Sequence, residues 1–293
     1  MLDTALLTEE YRGGLLDLTH YGYISVVDEN GKVVYAAGNP EAVVYYRSAS
    51  KPVQALPVIA HRLDEKYGFT DEETVLFSGS HLGESFHIDA LKSIMRKADL
   101  DPEDLIMKPT VPGSVQANED RIRAGLPKSK LYHNCSGKHA ALMLIQREMG
   151  GDVKDYWKVG SAGQNEVLRT MSALSEYPEE KVVIGVDGCG VPVFAYPMKN
   201  IAIAYKNLAC VDTIRDDTLR EAARRYVPRI HEYPQHDARH RLPLLAHQPR
   251  REHRRKGRRK RRLRHRPEEG APRHLLQDQG RHRSGLAADH PRD

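Results

Sequence analysis

A serine and a lysine with catalytic spacing stand early in the chain, in the stretch SASK at 48–51. Because residues three apart share one face of a helix, the amine of Lys51 can reach the hydroxyl of Ser48 if a helix begins here. A serine becomes a strong nucleophile only when a neighbour takes its proton, and a lysine amine removed from water can do so. This spacing alone is weakly specific, so a simpler interpretation stays open, in which Ser48 or Ser50 merely caps the helix.

Three further stretches combine small residues with side chains capable of chemistry. SGSHLGE (78–84) follows an apolar segment and carries Ser80, although an ordinary turn between helices has the same composition. HNCSGKH (133–139) stands just before a predicted helix, as binding loops often do. GVDGCGVP (185–192) places an aspartate and a cysteine in a glycine-rich turn after an apolar strand.

Two of these stretches each supply a cysteine, Cys135 and Cys189, and the two can meet around a metal in the folded chain. Two thiolates fall short of the four ligands of a structural zinc site, so a further ligand of an unusual kind would be needed. The alternative is a pair of buried cysteines without a partner. The third cysteine, Cys210, lies in an apolar stretch and is predicted to belong to the core. An odd number of cysteines argues against a disulfide framework.

The hydrophobic pattern of residues 1–234 predicts the elements that position these stretches. Two β-rich runs flank Asn30-Gly31, a strong hairpin signal, and 42–47 predicts another strand. Thr70 is expected to be the N-cap of a helix. Further patterns predict helices within 48–68, 69–80, 84–100, 136–151, 163–177 and 211–227, and strands within 181–198. Early and late strands with helices between them predict an α/β (α+β) fold in which a mixed sheet packs against helices.

The net charge of +5 conceals two unlike parts of the chain. Residues 235–293 hold 18 Lys and Arg against 7 Asp and Glu, whereas residues 1–234 hold 27 against 33. The tail contains no Val, Ile, Thr, Phe, Tyr or Trp, so it cannot supply strands or a core, and we expect it to be disordered or poorly packed. Basic runs can bind nucleic-acid phosphates. Because the tail has no aromatic residue for base stacking, we do not favour selected nucleic-acid binding.

Apolar segments long enough for a membrane are not seen in the sequence: no run approaches eighteen uninterrupted apolar residues. The first residues also lack the apolar core of a secretory signal. We therefore expect a cytoplasmic, reduced protein that has no membrane partner.

Four segments together indicate a family far more specifically than any one of them does. They are RSASKPVQALPVI, SGSHLGE, HNCSGKHAALM and GVDGCGVPVFA. In this order they closely resemble the asparaginase II family, the rhizobial-type inducible L-asparaginases, from about Leu7 to Pro234. The resemblance implies a fold like that of serine β-lactamases, penicillin-binding proteins and glutaminases. It also implies a homodimer that hydrolyses the side-chain amide of L-asparagine to L-aspartate and ammonia. A related serine amidohydrolase or acyltransferase acting on glutamine or a β-lactam is the alternative.

The resemblance also implies roles for individual residues. Ser48 would be the nucleophile, Lys51 its base, and Ser80 a member of a second Ser–Lys pair. The substrate pocket would be lined by Arg47, His139, Asp187 and Gly188, with Asp187 suited to the substrate's ammonium group.

A zinc ion is a further implication of the resemblance. Its ligands beside the pocket would be Cys135, Lys138 and Cys189, and a lysine is the unusual kind of ligand that the incomplete cysteine pair requires. No organic cofactor is expected.

The family continues beyond Pro234 with a glycine-rich segment, a KGGA motif bearing the second pair's lysine, and closing strands. None of these is present in the tail as written. Read one base out of phase, however, the degenerate codons of 252–266 allow NIVAKGGANGVYGIG, and those of 273–292 allow GISFKIKDGTEAVWPLIIRE. From 235 the same shift allows SMMRGTGYLCSLINRD. We therefore interpret 235–293 as an out-of-frame translation, and we expect the chain as written to be unstable, with little or no activity.

Overall fold

A computed structural model describes residues 3–236, and in this part of the chain early and late strands enclose a series of helices. The predicted mixed α/β (α+β) fold is confirmed. The strands are β1 (Ala5–Arg12), β2 (Leu15–Gly22), β3 (Ile24–Val27), β4 (Val33–Ala37), β5 (Val43–Tyr45), β6 (Val183–Val186) and β7 (Pro192–Pro197). The helices are α1 (Lys51–Gln54), α2 (Leu56–Ala60), α3 (Leu63–Lys66), α4 (Asp71–Val75), α5 (Ser85–Lys97), α6 (Val115–Arg123), α7 (Ser136–Glu148), α8 (Ala162–Ser175), α9 (Met198–Ala209) and α10 (Asp217–Glu232).

The central sheet has three antiparallel strands in the order β5-β7-β6. Every residue of β7 is buried, and this strand pairs Val44 of β5 with Tyr196 and Ile184 of β6 with Phe194. Because β5 leads into SASK and the β6–β7 turn carries GVDGCGVP, the sheet brings the first and fourth stretches together. The β-lactamase-like arrangement stays a prediction.

The hairpin predicted around Asn30-Gly31 is confirmed as β3 and β4. The side chain of Asp28 closes its turn by accepting hydrogen bonds of 2.9 Å from the backbone N–H groups of Asn30 and Lys32. Gly31 has a φ of 80°, a left-handed conformation that glycine adopts at little cost.

The helix predicted to start at Thr70 is also confirmed. Its hydroxyl accepts from the backbone N–H of Glu73 at 3.2 Å, and the Glu73 carboxylate accepts from the Thr70 N–H at 2.7 Å. This reciprocal capping box is the arrangement expected of a threonine followed three residues later by a glutamate.

The helical pattern at 48–68 folds as three short helices rather than one, α1 to α3. Pro57 lacks the N–H that would continue α1, so the chain restarts as α2. Arg62 has a φ of 53° and separates α2 from α3.

Helix α10 is bonded through its side chains to α3 and α4. The Tyr226 hydroxyl donates to the Thr74 carbonyl oxygen at 2.9 Å. Arg225 and Arg229 both donate to Oδ2 of the buried Asp64, at 2.7 and 2.9 Å. No described helix has the length and apolarity needed to cross a membrane.

Several sequence-based expectations need correction or extension. Ribbon β1–β2 and helices α6 and α9 were not predicted. Cys210 is exposed rather than part of the core, because it stands at the C-cap of α9.

Ordered structure also continues past Pro234 as a short 3₁₀ turn. His236 is fully buried, and its Nε2 lies 2.7 Å from Oε1 of Glu72. The expectation of disorder for 237–293 falls outside the described residues.

Candidate active site

The SASK stretch forms a 3₁₀ turn between β5 and α1. Arg47 enters it with a φ of 50°, a left-handed conformation that costs a residue with a side chain roughly 1–2 kcal/mol. Such local strain concentrates at functional sites. Ser50 supports the turn by donating its hydroxyl to the Arg47 carbonyl oxygen at 2.6 Å. Ser48 is half-buried on this turn.

Lys51 is fully buried and joins three of the four stretches. Its Nζ donates to the Gly79 carbonyl oxygen at 2.8 Å and to the Ser80 hydroxyl at 2.7 Å, with a longer contact of 3.4 Å to the Asn134 carbonyl oxygen. Among the described residues, therefore, this amine bonds to Ser80 and not to Ser48, although Ser48 lies only three positions earlier.

The segment that carries Ser80 is braced by His81. The Nδ1 atom of this buried ring accepts from the Gly83 N–H at 3.0 Å, which leaves the proton on Nε2. Nε2 lies 2.7 Å from the Ser136 hydroxyl, which itself donates to the Leu131 carbonyl oxygen. Burial holds the pKa of His81 well below its usual range, and nearby histidines and Lys51 lower it further. A neutral His81 thus ties the Ser80 loop to the start of α7.

A cleft of about 350 Å³ opens beside Ser80, within the size range of small-molecule sites. Its polar groups come from the second and third stretches and from the segment around Thr110. The lining residues are Ser80, His81, Leu82, Thr110, Val111, Gly113, Tyr132, His133 and Asn134.

The start of α7 packs tightly against the helix that precedes the Ser80 loop. A Cβ placed on Gly137 would lie 2.1 Å from the Leu76 carbonyl oxygen, so only glycine fits this approach. The residues that follow are buried, which places Lys138 and His139 inside the protein.

Two of the three predicted zinc ligands are in direct contact. Nζ of the buried Lys138 lies 3.2 Å from Sγ of Cys189. A hydrogen bond from the Cys189 thiol lowers the pKa of Cys135 to about 5; Lys51 and Lys138 also lower it, against the effect of burial. The same bond, together with burial, raises the pKa of Cys189.

His139 is fully buried near Cys189. Its Nδ1 lies 2.8 Å from the Tyr156 hydroxyl, while its Nε2 is buried without a hydrogen-bond partner in residues 3–236. Burial lowers the pKa of His139 to about 4, and the neighbouring Cys189 partly opposes this.

The β6–β7 turn connects this cluster to the SASK turn. Oδ1 of Asp187 accepts from the Gly188 N–H at 2.8 Å and pairs with Nε of Arg47 at 2.9 Å. Two residues further on, Cys189 points to Lys138.

The structure therefore brings the predicted residues together in three groups. The first group is Lys51 with Ser80, and the second is Arg47 with Asp187 and Gly188. The third is the cysteine cluster, which consists of Cys135, Lys138 and Cys189, with His139 near Cys189. Of the predicted pocket residues Arg47, His139, Asp187 and Gly188, none is among those that line the cleft beside Ser80.

Sequence reasoning missed His81 and Tyr156. His81 belongs to the quoted SGSHLGE stretch, so its position among small residues was a usable signal, but its partner Ser136 lies 55 residues away. Tyr156 gave no signal, because its role depends on packing against His139.

A buried lysine bonded to a serine at the edge of a cleft is an arrangement suited to a hydrolase. The L-asparaginase II family model matches residues 8–238, most of the chain, so the chain belongs to the L-asparaginase II family. This confirms the resemblance found from the four stretches, and it supports an L-asparaginase-type amidohydrolase with a small-molecule substrate. A search of curated proteins found no match.

Proposed function

We propose that this protein is an L-asparaginase, which hydrolyses the side-chain amide of L-asparagine by a Ser–Lys mechanism. The observation that supports this most directly is the bond of 2.7 Å between the buried amine of Lys51 and the hydroxyl of Ser80, at a cleft of suitable size. Membership of the L-asparaginase II family supports the choice of substrate.

In the proposed reaction, Oγ of Ser48 attacks the side-chain carbonyl carbon, and its proton passes to the neutral amine of Lys51. The C–N bond then breaks, and the lysine returns that proton to the departing nitrogen, which leaves as ammonia. Water attacks the resulting ester and releases L-aspartate, again with Lys51 as base. Ser80 is the second candidate nucleophile, because its hydroxyl already bonds to the same amine.

The amino-acid end of the substrate is proposed to bind at the pair formed by Arg47 and Asp187. The carboxylate of Asp187 complements the ammonium group, and the guanidinium of Arg47 complements the α-carboxylate. When the substrate binds, the ion pair between Arg47 and Asp187 would be replaced by two ion pairs, one from each residue to the substrate. Gly188 and His139 complete the proposed substrate set.

Zinc is proposed to bind Cys135, Lys138 and Cys189. The donor set fits because the three side chains are buried and Nζ of Lys138 lies 3.2 Å from Sγ of Cys189. Residues 3–236 contain no group of three His, Cys, Asp or Glu side chains suited to a metal, so the lysine is essential to this site. A zinc ion with three protein ligands can polarise a carbonyl or a water molecule.

The zinc proposal is tested by measuring the metal content of the purified protein. In a repaired chain, in which residues 1–234 continue into the shifted reading of the tail, the parent protein should retain zinc after dialysis. Cys189→Ser should lose the zinc, whereas Cys210→Ser should not. Equal zinc in all three proteins, or none in the repaired parent, would refute this site.

The catalytic roles are tested in a repaired chain, in which residues 1–234 continue into the shifted reading of the tail. Ser48→Ala should abolish ammonia release from asparagine, and Lys51→Met should reduce the rate by about 10²–10⁴. Ser85→Ala, at an exposed serine that begins α5, is the control and should retain activity. If Ser80→Ala is inactive and Ser48→Ala is active, Ser80 is the nucleophile.

Substrate choice is tested with asparagine, glutamine and a chromogenic β-lactam. We expect asparagine to have the highest kcat/KM. A preference for either other substrate would favour the related serine amidohydrolase or acyltransferase.

The frame-shift interpretation predicts that the chain as written has little activity beside the repaired one. Equal activity and equally cooperative unfolding of the two chains would show that the tail is real protein. Salt-dependent DNA binding that requires 237–293 and distinguishes sequences would instead favour the basic-tailed nucleic-acid-binding alternative.

A further inference from the structure

The cleft beside Ser80 is polar but uncharged. None of the described residues that line it is Asp, Glu, Lys or Arg, and burial holds the pKa of His81 well below its usual range, so this ring adds no charge. Such a cleft accommodates a neutral polar group at less cost than an ion, because its walls offer an ion no opposite charge. The side-chain amide is the neutral end of the proposed substrate, since the charged amino-acid end is assigned to Arg47 and Asp187. The cleft therefore suits the amide.

The position of the ring proton of His133, in the wall of this cleft, follows from one hydrogen bond. Nδ1 of His133 accepts from the backbone N–H of Cys135 at 3.1 Å. A ring nitrogen that accepts in this way carries no proton, so the ring is neutral and its proton is on Nε2. The same bond restrains the orientation of the ring. The Nε2–H group of His133 is therefore a preorganised hydrogen-bond donor.

This donor is available to a ligand. Within residues 3–236 no group accepts from Nε2–H of His133, and the atom is reached by solvent, unlike the buried and orphaned Nε2 of His139. The ring of His81 differs as well, because both of its nitrogens are bonded within the protein. His133 is half-buried and lines the cleft. Of these three rings, His133 is the one that offers a donor to a molecule bound in the cleft.

His133 is also close to the reacting groups. The carbonyl oxygen of the next residue, Asn134, contacts Nζ of Lys51 at 3.4 Å. Ser80, whose hydroxyl accepts from the same amine, lines the cleft together with His133. Burial is the main cause that lowers the pKa of His133, and Lys51 is near enough to lower it further, although Cys189 opposes this. The ring therefore lies within electrostatic range of the catalytic amine.

The direction of the hydrogen bond restricts which substrate atom it can reach. Nε2–H can only donate, and a side-chain amide has one good acceptor, its carbonyl oxygen, because the lone pair of the nitrogen is delocalised. When a serine Oγ bonds to the carbonyl carbon, the π electron pair of the C=O bond moves to this oxygen, which becomes negatively charged. A donor already directed at this position stabilises the charge without reorganisation. A neutral imidazole can polarise a carbonyl group in this way.

We propose that His133 is a catalytic residue, whose Nε2–H group donates a hydrogen bond to the carbonyl oxygen of the side-chain amide and stabilises the tetrahedral intermediate. The ring neither gains nor loses a proton, because the electron pair on the oxygen returns to the C=O bond when the C–N bond breaks. This inference rests on the proposed amidohydrolase function, and it holds whether Ser48 or Ser80 is the nucleophile.

The test uses two substitutions in the repaired chain, each of which retains a different half of the ring's function. In His133→Asn the side-chain oxygen takes the place of Nδ1 and can accept from Cys135, but no donor remains at the position of Nε2. In His133→Gln the amide reaches the position of Nε2 and can donate, but the acceptor for Cys135 is lost. His20→Asn and His20→Gln, at an exposed position of β2, are the matched controls. Ammonia release from asparagine gives kcat and KM, and circular dichroism confirms that each variant is folded.

We expect His133→Asn to lower kcat by about 10²–10³, with KM changed by less than about threefold, because the lost bond forms mainly in the transition state. His133→Gln should retain a kcat within about tenfold of the repaired parent, since it keeps the donor. Both His20 variants should match the parent.

Three results would overturn the inference: a parental kcat in His133→Asn, a change confined to KM, or a loss in His133→Gln as large as that in His133→Asn. The third result would mean that the ring acts through its bond to the Cys135 N–H. A repaired parent that hydrolyses none of asparagine, glutamine and a β-lactam would instead overturn the proposed function, and the inference with it. That outcome is seen in the parent alone, so the two failures are distinguishable.

Discussion

Helix α7 and the β1–β2 ribbon are both regular elements, yet they differ in where their apolar side chains find contacts. The first eleven of the thirteen residues of α7 are buried inside this chain, whereas no residue of the ribbon is. The comparison separates two uses of hydrophobic residues. Those of the helical body stabilise the fold, and those of the ribbon contribute little to the core of the described residues.

The largest expected effect tests this separation directly. Leu144→Ala in α7 removes a side chain that is 1% exposed and should lower the free energy of unfolding by about 2–5 kcal/mol. Leu15→Ala on the ribbon should change that of the monomer by less than about 0.5 kcal/mol. Urea unfolding of the two variants measures both losses, and similar losses would contradict the comparison.

A second pair of substitutions extends the comparison to charges. Asp64→Asn weakens the buried contacts that attach Arg225 and Arg229 of α10, and should cost about 1.5–3 kcal/mol. Asp217→Asn breaks the ion pair of an exposed carboxylate with Arg220 and should cost less than about 1 kcal/mol. Urea unfolding measures both costs. An equal cost at the two sites would mean that Asp64 does not anchor α10.

A smaller effect depends on pH. Burial alone would raise the pKa of Glu73, but bonds from Lys97, Ser93 and the Thr70 N–H hold it below its usual value. A lowered folded-state pKa contributes stability above the unfolded value, near about 4.3, and loses it as the pH falls through the folded value.

Glu73→Gln should therefore cost about 1 kcal/mol at neutral pH, and the difference from the unaltered protein should shrink below about pH 4. Thermal unfolding of the two proteins between neutral and acidic pH measures this. A constant difference across the range would show that the charge on Glu73 contributes nothing.

The last substitution should have the smallest effect on global stability, because its cost is confined to the ribbon. Gly14→Ala places a side chain at a φ of 85° and should cost roughly 1–2 kcal/mol locally. Because the ribbon is not part of the core, Tm of the monomer should not change, but amides of Arg12 and Leu15 should exchange faster. A lowered Tm would mean that ribbon and body unfold together.

Local chemistry made part of the fold predictable. Asn30-Gly31 and Thr70 each act through neighbours a few residues away, and both predictions are confirmed. The β1–β2 ribbon carried a comparable signal in Gly13-Gly14, which was not used. Helix α9 follows β7 without any turn residues between them, so the sequence does not mark where strand becomes helix.

Which of the candidate site residues lie close together could be predicted only in part. The meeting of Lys138 with Cys189 agrees with the predicted cluster. Helical spacing favoured Ser48 as the partner of Lys51, but the amine bonds to Ser80, 29 positions away. The hydrogen-bond partner of Lys51 depends on how the loops pack, and the periodicity of the sequence does not indicate it.

The close approach of Gly137 to the Leu76 carbonyl oxygen bears on how this cleft could be redesigned. Since even a methyl group there would force the two segments apart, the wall formed by Ser80 and Asn134 has little room to shift. The volume of this cleft is therefore more readily changed by substituting other lining residues, such as Thr110 or Val111, than by moving the segments that carry Ser80 and Asn134.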